Sequence, residues 1–182
     1  MRLREKLPEI VFEGLFVVFA ILLALAADEW REDRQNAEIA ERAMNGIETE
    51  MLANRVELLN SRGPNLELLG RLQAEVEDDD AATNLNVQFE YSLLSSAAWQ
   101  TAQVTQAVHY ADYNLVQQIA KLYDLQELFT ESQRGMVQQM TGLGGDADRF
   151  AEGALGHLSI VMGVEAGYMA VLDTMIVQME NR

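Results

Sequence analysis

IVFEGLFVVFAILLALAADEWREDRQNAEIAERAMNGIETEMLANRVELLNS, residues 10–61, joins an apolar run to a heptad pattern without a proline between them. The first 18 of these residues carry one charge, Glu13. At a helical rise of 1.5 Å they cover about 27 Å of a hydrocarbon core ~30 Å thick, and extension back to Leu7 closes the gap. Residues 7–27 therefore read as a transmembrane helix, with 1–6 before it and an acidic helical domain, 28–182, after it. Arg2, Arg4 and Lys6 precede the run, whereas 28–34 is net acidic, which places the N-terminus in the cytoplasm and the rest outside. Trp30, about one turn beyond the run, reads as an interfacial anchor. Ala24, Leu25 and Ala26 before Ala27 also form an A-x-A cleavage pattern. Glu5, Glu9 and Glu13 are foreign to a signal peptide, however, and helical periodicity continues past the site.

Beyond the run, Ala40, Met44, Ile47, Met51, Asn54 and Leu58 step by four and three, a heptad seam. The first helix is expected to reach about Ser61, with Glu38 and Arg42 pairing at i,i+4 and with Arg62, Gly63 and Pro64 as its stop. Asn65 then caps a short second helix with Leu66, Leu69, Leu72 and Val76 on one face. Acidic residues 77–80 follow, and a third helix is expected over about 87–107. Asp112 reads as the N-cap of a fourth helix carrying Leu115, Ile119, Leu122, Leu125, Phe129, Met136 and Met140. Residues 142–146 are a glycine-rich loop. The last helix, about 146–180, has an uncharged run of only 12 residues, 153–164, too short for a second span. The fold class expected is all-α: one N-terminal transmembrane helix continuing into an extramembrane bundle of four or five helices.

Composition narrows the function. The 182 residues hold 29 Asp and Glu against 13 Lys and Arg, a net charge of −16. Three of each sign lie in 1–27, leaving 10 basic against 26 acidic in the remainder. A nucleic-acid partner is excluded, because phosphate contacts need clustered cations. Cysteine is absent, removing disulfides, thiolate metal sites and cysteine nucleophiles and leaving the redox compartment open. Two histidines without an E-x-x-H pair do not support a di-iron bundle. The methionines at 136, 140, 162, 169, 175 and 179 have the spacing of a core stripe rather than of a copper site. Asp78, Asp79 and Asp80 lack the spacing of an EF-hand loop, and 142–145 lacks the Lys of a phosphate loop.

Glu13 within the span either lies shallow at the cytoplasmic side or faces a partner helix, since a carboxylate in hydrocarbon costs ~2.5 kcal/mol or more. Gly14, Ala20 and Ala24 offer a small-residue face for such a contact. Trp99, His109, Tyr110 and Tyr113 form the candidate wall of a ligand pocket, weighed against a plain aromatic core corner. No catalytic constellation, cofactor site or metal site emerges. The expectation is a non-enzyme: a membrane-anchored interaction or scaffold protein whose partners are the lipid bilayer and other membrane subunits or copies of itself. The alternative is an extracytoplasmic bundle sensing a small ligand.

Three segments, FVVFAILLALAADEWREDRQNAEIAERAMNGIETEMLANRVEL, SAAWQTAQVTQAV and LVQQIAKLYDLQELF, make up about two-fifths of the chain. On them the sequence resembles a broad group of short, uncharacterised bacterial single-pass inner-membrane proteins with a helical extracytoplasmic domain. The resemblance implies membrane attachment and no activity. Members often have Gly in an A-W-x-T-A-x-x-T-G-A stretch where this chain has Gln106, a departure that bears on the local turn.

Overall fold

The computed structural model describes residues 3–77, 87–142 and 147–181. Among them the structure is all-helical and free of β-strand. Helix α1 runs from Leu3 to Glu77, α2 from Ala97 to Val104, α3 from Tyr113 to Gly142 and α4 from Ala147 to Glu180, with a single 3₁₀ turn over Ala107–Tyr110. Helix α4 packs against both α1 and α3. The body is thus three long helices with two short ones near one end, rather than a bundle of four or five full helices.

Helix α1 is 75 residues long, about 110 Å at the standard rise. It passes through Gly63 and Pro64 without ending, contrary to the expected stop. The reason lies in the seam, which continues past Leu58 to Ser61, Asn65, Leu68 and Leu72 in unbroken four-three steps, all buried. Pro64 falls on the exposed face, as does Asn60, whose carbonyl loses its partner N–H and faces water instead. Packing of the seam overrides the local stop signal. The proposed cap, Asn65, has another task, described below. Asp112 does cap α3: its Oδ1 accepts from the backbone N–H of Leu115 at 2.9 Å. The Glu38 carboxylate pairs backward with Arg34 at 3.4 Å, while Arg42 donates to the Glu38 carbonyl instead.

The other two long helices repeat the pattern. Helix α3 buries Leu115, Ile119, Leu122, Gln126, Phe129, Gln133 and Met136; α4 buries Ala151, Ala154, Leu158, Val161, Glu165, Tyr168, Leu172, Met175 and Met179. Both step by three and four, so each helix presents one narrow stripe to a common axis. Met136, Met162, Met175 and Met179 are core residues on these stripes, while Met140 lies outside the described side chains, as do the loop at 143–146 and Asp78 to Asp80.

By length and hydropathy the helix able to cross a bilayer among the described residues is Phe150–Glu180, not the N-terminal stretch; 39% of its most apolar 18 residues is buried in the bundle. The N-terminal stretch nonetheless stands clear of the bundle: Phe12 and Phe16 are each 74% exposed, and every residue from 12 to 27 is exposed.

Candidate functional site

Residues 87–96, expected to begin a helix, form neither helix nor strand. Val87, Phe89 and Tyr91 are half-buried and alternate with exposed Gln88 and Glu90, the period of two that half-buried extended chain requires. The segment lies between α1 and α3, antiparallel to α1.

Its backbone is held by side chains at seam positions. Asn65 donates from Nδ2 to the Glu90 carbonyl at 2.8 Å and accepts from the Glu90 N–H at 2.9 Å. Gln133 accepts from the Ser92 N–H at 2.8 Å and donates to the Ser92 carbonyl at 3.2 Å. Asn54 does the same for Ser95, both bonds at 2.8 Å. A primary amide carries a donor and an acceptor side by side, the pattern one residue of an extended chain presents, so each amide replaces one rung of a sheet. The register follows from the two rises. Five extended residues from Glu90 to Ser95 span about 16 Å, as do the eleven helical residues from Asn54 to Asn65. Ser61 and Ser92 share a hydrogen bond of 2.5 Å between hydroxyls, Glu57 accepts from the Leu93 N–H at 3.2 Å, and Gln126 adds a second donor to the Ser95 carbonyl at 2.9 Å.

Glu50 closes the end of this clamp. Its carboxylate, buried, accepts from Ser95 Oγ at 2.6 Å, Tyr123 Oη at 2.6 Å, and the backbone N–H groups of Ala98 at 2.9 Å and Trp99 at 3.4 Å. The last two are among the unpaired donors at the start of α2, whose own N-cap, Ser96, makes no side-chain cap bond. Glu50 thus caps α2 from another helix and gains from its dipole. Burial pushes its carboxyl up, but the hydrogen bonds of Ser95, Tyr123 and the two amides prevail and hold it below the ordinary 4.5. Burial and the adjacent Glu50 charge push the Tyr123 hydroxyl well above its usual range, which keeps it a donor. A second buried carboxylate, Glu165 on α4, is met by Arg62 of α1 at 2.9 Å; burial raises it more than Arg62 lowers it. No buried side-chain nitrogen or oxygen among the described residues lacks a partner.

The aromatic cluster read from the sequence is rearranged. Trp99 is buried and stacks on Tyr123 with ring centroids 5.5 Å apart, and these two border a polar surface cavity of about 440 Å³ with Gln100, Gln103, Glu127 and Arg134. His109, Tyr110 and Tyr113 are exposed and line no part of it. At that turn Gln106 holds φ of 61°, the left-handed region in which glycine costs nothing. Glu13, Ala20 and Ala24 are exposed on the projecting part of α1, a Cβ at Gly14 would meet nothing within 4 Å, and Trp30 is exposed just beyond. Among the described side chains none is a hydrogen-bond or ion-pair partner of any of the five. Among the described residues no group of three His, Asp or Glu side chains is placed to hold a metal.

The clamp escaped the sequence reading, yet it left a trace there. Polar residues recur at seam positions, 54, 61 and 65 on α1 and 126 and 133 on α3, where core packing alone calls for apolar ones. Comparison with known protein families, characterised proteins and solved structures gives no match for this chain.

Proposed function

We propose that this chain is a non-catalytic, membrane-anchored interaction protein, an accessory subunit of a larger inner-membrane assembly or of a homo-oligomer. Residues 7–27 are its span, the N-terminus is cytoplasmic and the acidic bundle stands outside. The observation that carries this reading is the described part of the span, residues 12–27, apolar and exposed around the whole circumference of a helix continuous with the bundle seam. A helix that is hydrophobic all round is at home in a core or a bilayer, and here no core covers it. The apolarity of α4 is already used in the bundle, and its Glu165 and Asp173 are tied to Arg62 and Arg55. Residues 28–39 form a polar helical stalk about 18 Å long, which suits a domain that an anionic headgroup layer would repel.

Native mass spectrometry after mild detergent extraction tests the role: co-purifying subunits or a defined oligomer is expected, and a lone monomer would overturn it. A second reading, small-ligand sensing, is favoured only by the cavity beside Trp99 and Tyr123, whose volume is within the range of ligand sites. A thermal-shift screen without a stabilising compound would remove that one.

A further inference from the structure

We infer that the polar groove between α1 and α3 is a backbone-reading peptide site, filled here by the chain's own segment 87–96 and open to an extended segment of a partner polypeptide. The inference rests on the interaction role proposed above and names its surface. Asn65, Gln133 and Asn54 address the N–H and C=O of Glu90, Ser92 and Ser95, and every polypeptide has those groups. Recognition of this kind is indifferent to most side chains and therefore transferable.

The resident segment is a weakly buried occupant. Of its ten residues Ser92 alone is buried, and Leu93 is 76% exposed with its apolar side chain turned from the groove. Apolar burial is the main source of stability, so elements that lack it open at lower free energy than the core. Helix α4 packs against both α1 and α3, so these two helices are joined by contacts that do not involve the segment.

The groove also states what it accepts. The position of Ser92 faces Ser61 and Gln133 and admits only a small side chain. The positions of Val87, Phe89 and Leu94 pack against the core and favour apolar ones. Glu57 lies along the groove at Leu93, and the 28–182 portion holds 26 acidic against 10 basic residues, so the outward positions of a partner segment favour Lys and Arg. The partner chemistry is an extended, basic segment with one small residue between apolar flanks.

The probe is a fluorescent peptide with the sequence of residues 87–96, alone and with Glu90→Lys, titrated onto the full-length protein in detergent. Ser92→Glu in the protein places a carboxylate against Ser61 and Gln133, expelling the resident segment while leaving the groove intact. At least tenfold tighter peptide binding to this variant than to the parent is expected, tighter still for the Glu90→Lys peptide. Adding Gln133→Ala should weaken binding at least tenfold, and a peptide carrying Ser92→Glu should not bind. Absence of binding to a folded Ser92→Glu protein would overturn the inference. Hydrogen exchange on the parent protein decides the matter if that variant does not fold. The amides of Glu90, Ser92, Leu93 and Ser95 should exchange at least tenfold faster than those of Leu58 and Ile119, and exchange in step with that core would show that the segment never leaves. Both readouts concern the groove alone, so their failure is distinct from failure to find co-purifying subunits.

Discussion

Gln106 holds a left-handed conformation that costs an L-residue roughly 1–2 kcal/mol, against the roughly 0.5–1 kcal/mol by which glycine loses more chain entropy on folding. Gln106→Gly is therefore expected to stabilise the bundle by about 0.5–1 kcal/mol in chemical denaturation, and a net loss would show that the side chain contributes more than its backbone costs. Glu50 carries a pH dependence. Its folded-state pKa lies below 4.5, so its contribution is complete above that pH and is lost as pH falls through the folded value. Glu165 runs the other way: its raised pKa gives a contribution complete below 4.5 and lost as pH rises through the folded value. Glu50→Gln should cost about 2 kcal/mol near neutral pH, and the gap from the parent should shrink on acidification below about pH 4.5. A gap constant from about pH 7 to about pH 3 would deny Glu50 its ionised role.

At the level of elements, α1 shows a local rule losing to a longer one. Gly63 and Pro64 are a helix stop by local preference, yet the four-three seam carries its phase through them from Ala40 to Leu72. An interior proline costs a helix ~3 kcal/mol relative to alanine. Pro64→Ala should accordingly raise stability by about 1–3 kcal/mol, since the chain has already relaxed around the ring; no gain would mean that the helix is not continuous there. The stop was the wrong reading because it weighed two exposed residues against none of the buried ones beyond them. The extended segment was missed for a related reason. Val87 to Tyr91 alternates over only five residues, and the ladder that holds it comes from α1 and α3, distant in sequence. Asp112, whose cap bond is local, was legible at once.

For the whole molecule, orientation and association are the testable quantities. With Arg2, Arg4 and Lys6 before the apolar run and net acid after it, a C-terminal fusion should be active with a reporter that works outside the cytoplasm. Activity of a cytoplasm-only reporter would reverse the topology, and an intact mass short of 26 residues would show cleavage before Ala27. Glu13→Leu should leave insertion intact and weaken assembly by a few-fold to roughly thirtyfold if the carboxylate bonds a partner helix, as intramembrane polar contacts are worth ~0.6 to 2 kcal/mol. Measured in one detergent, unchanged association beside a clear loss for Ala24→Phe would assign the contact to the small-residue face alone.

Helical class, the heptad seam of α1 as far as Leu58, the cap at Asp112 and the methionine core follow from the order of residues, because periodicity and capping act over one or two turns. The continuation of α1 past Pro64, the cap that Glu50 lends to α2, the stacking of Trp99 on Tyr123 and the clamp on 87–96 were decided by the tertiary structure. Each joins groups tens of residues apart, as Asn54 joins Ser95 and Gln126, and a buried polar side chain takes its meaning from the partner that satisfies it.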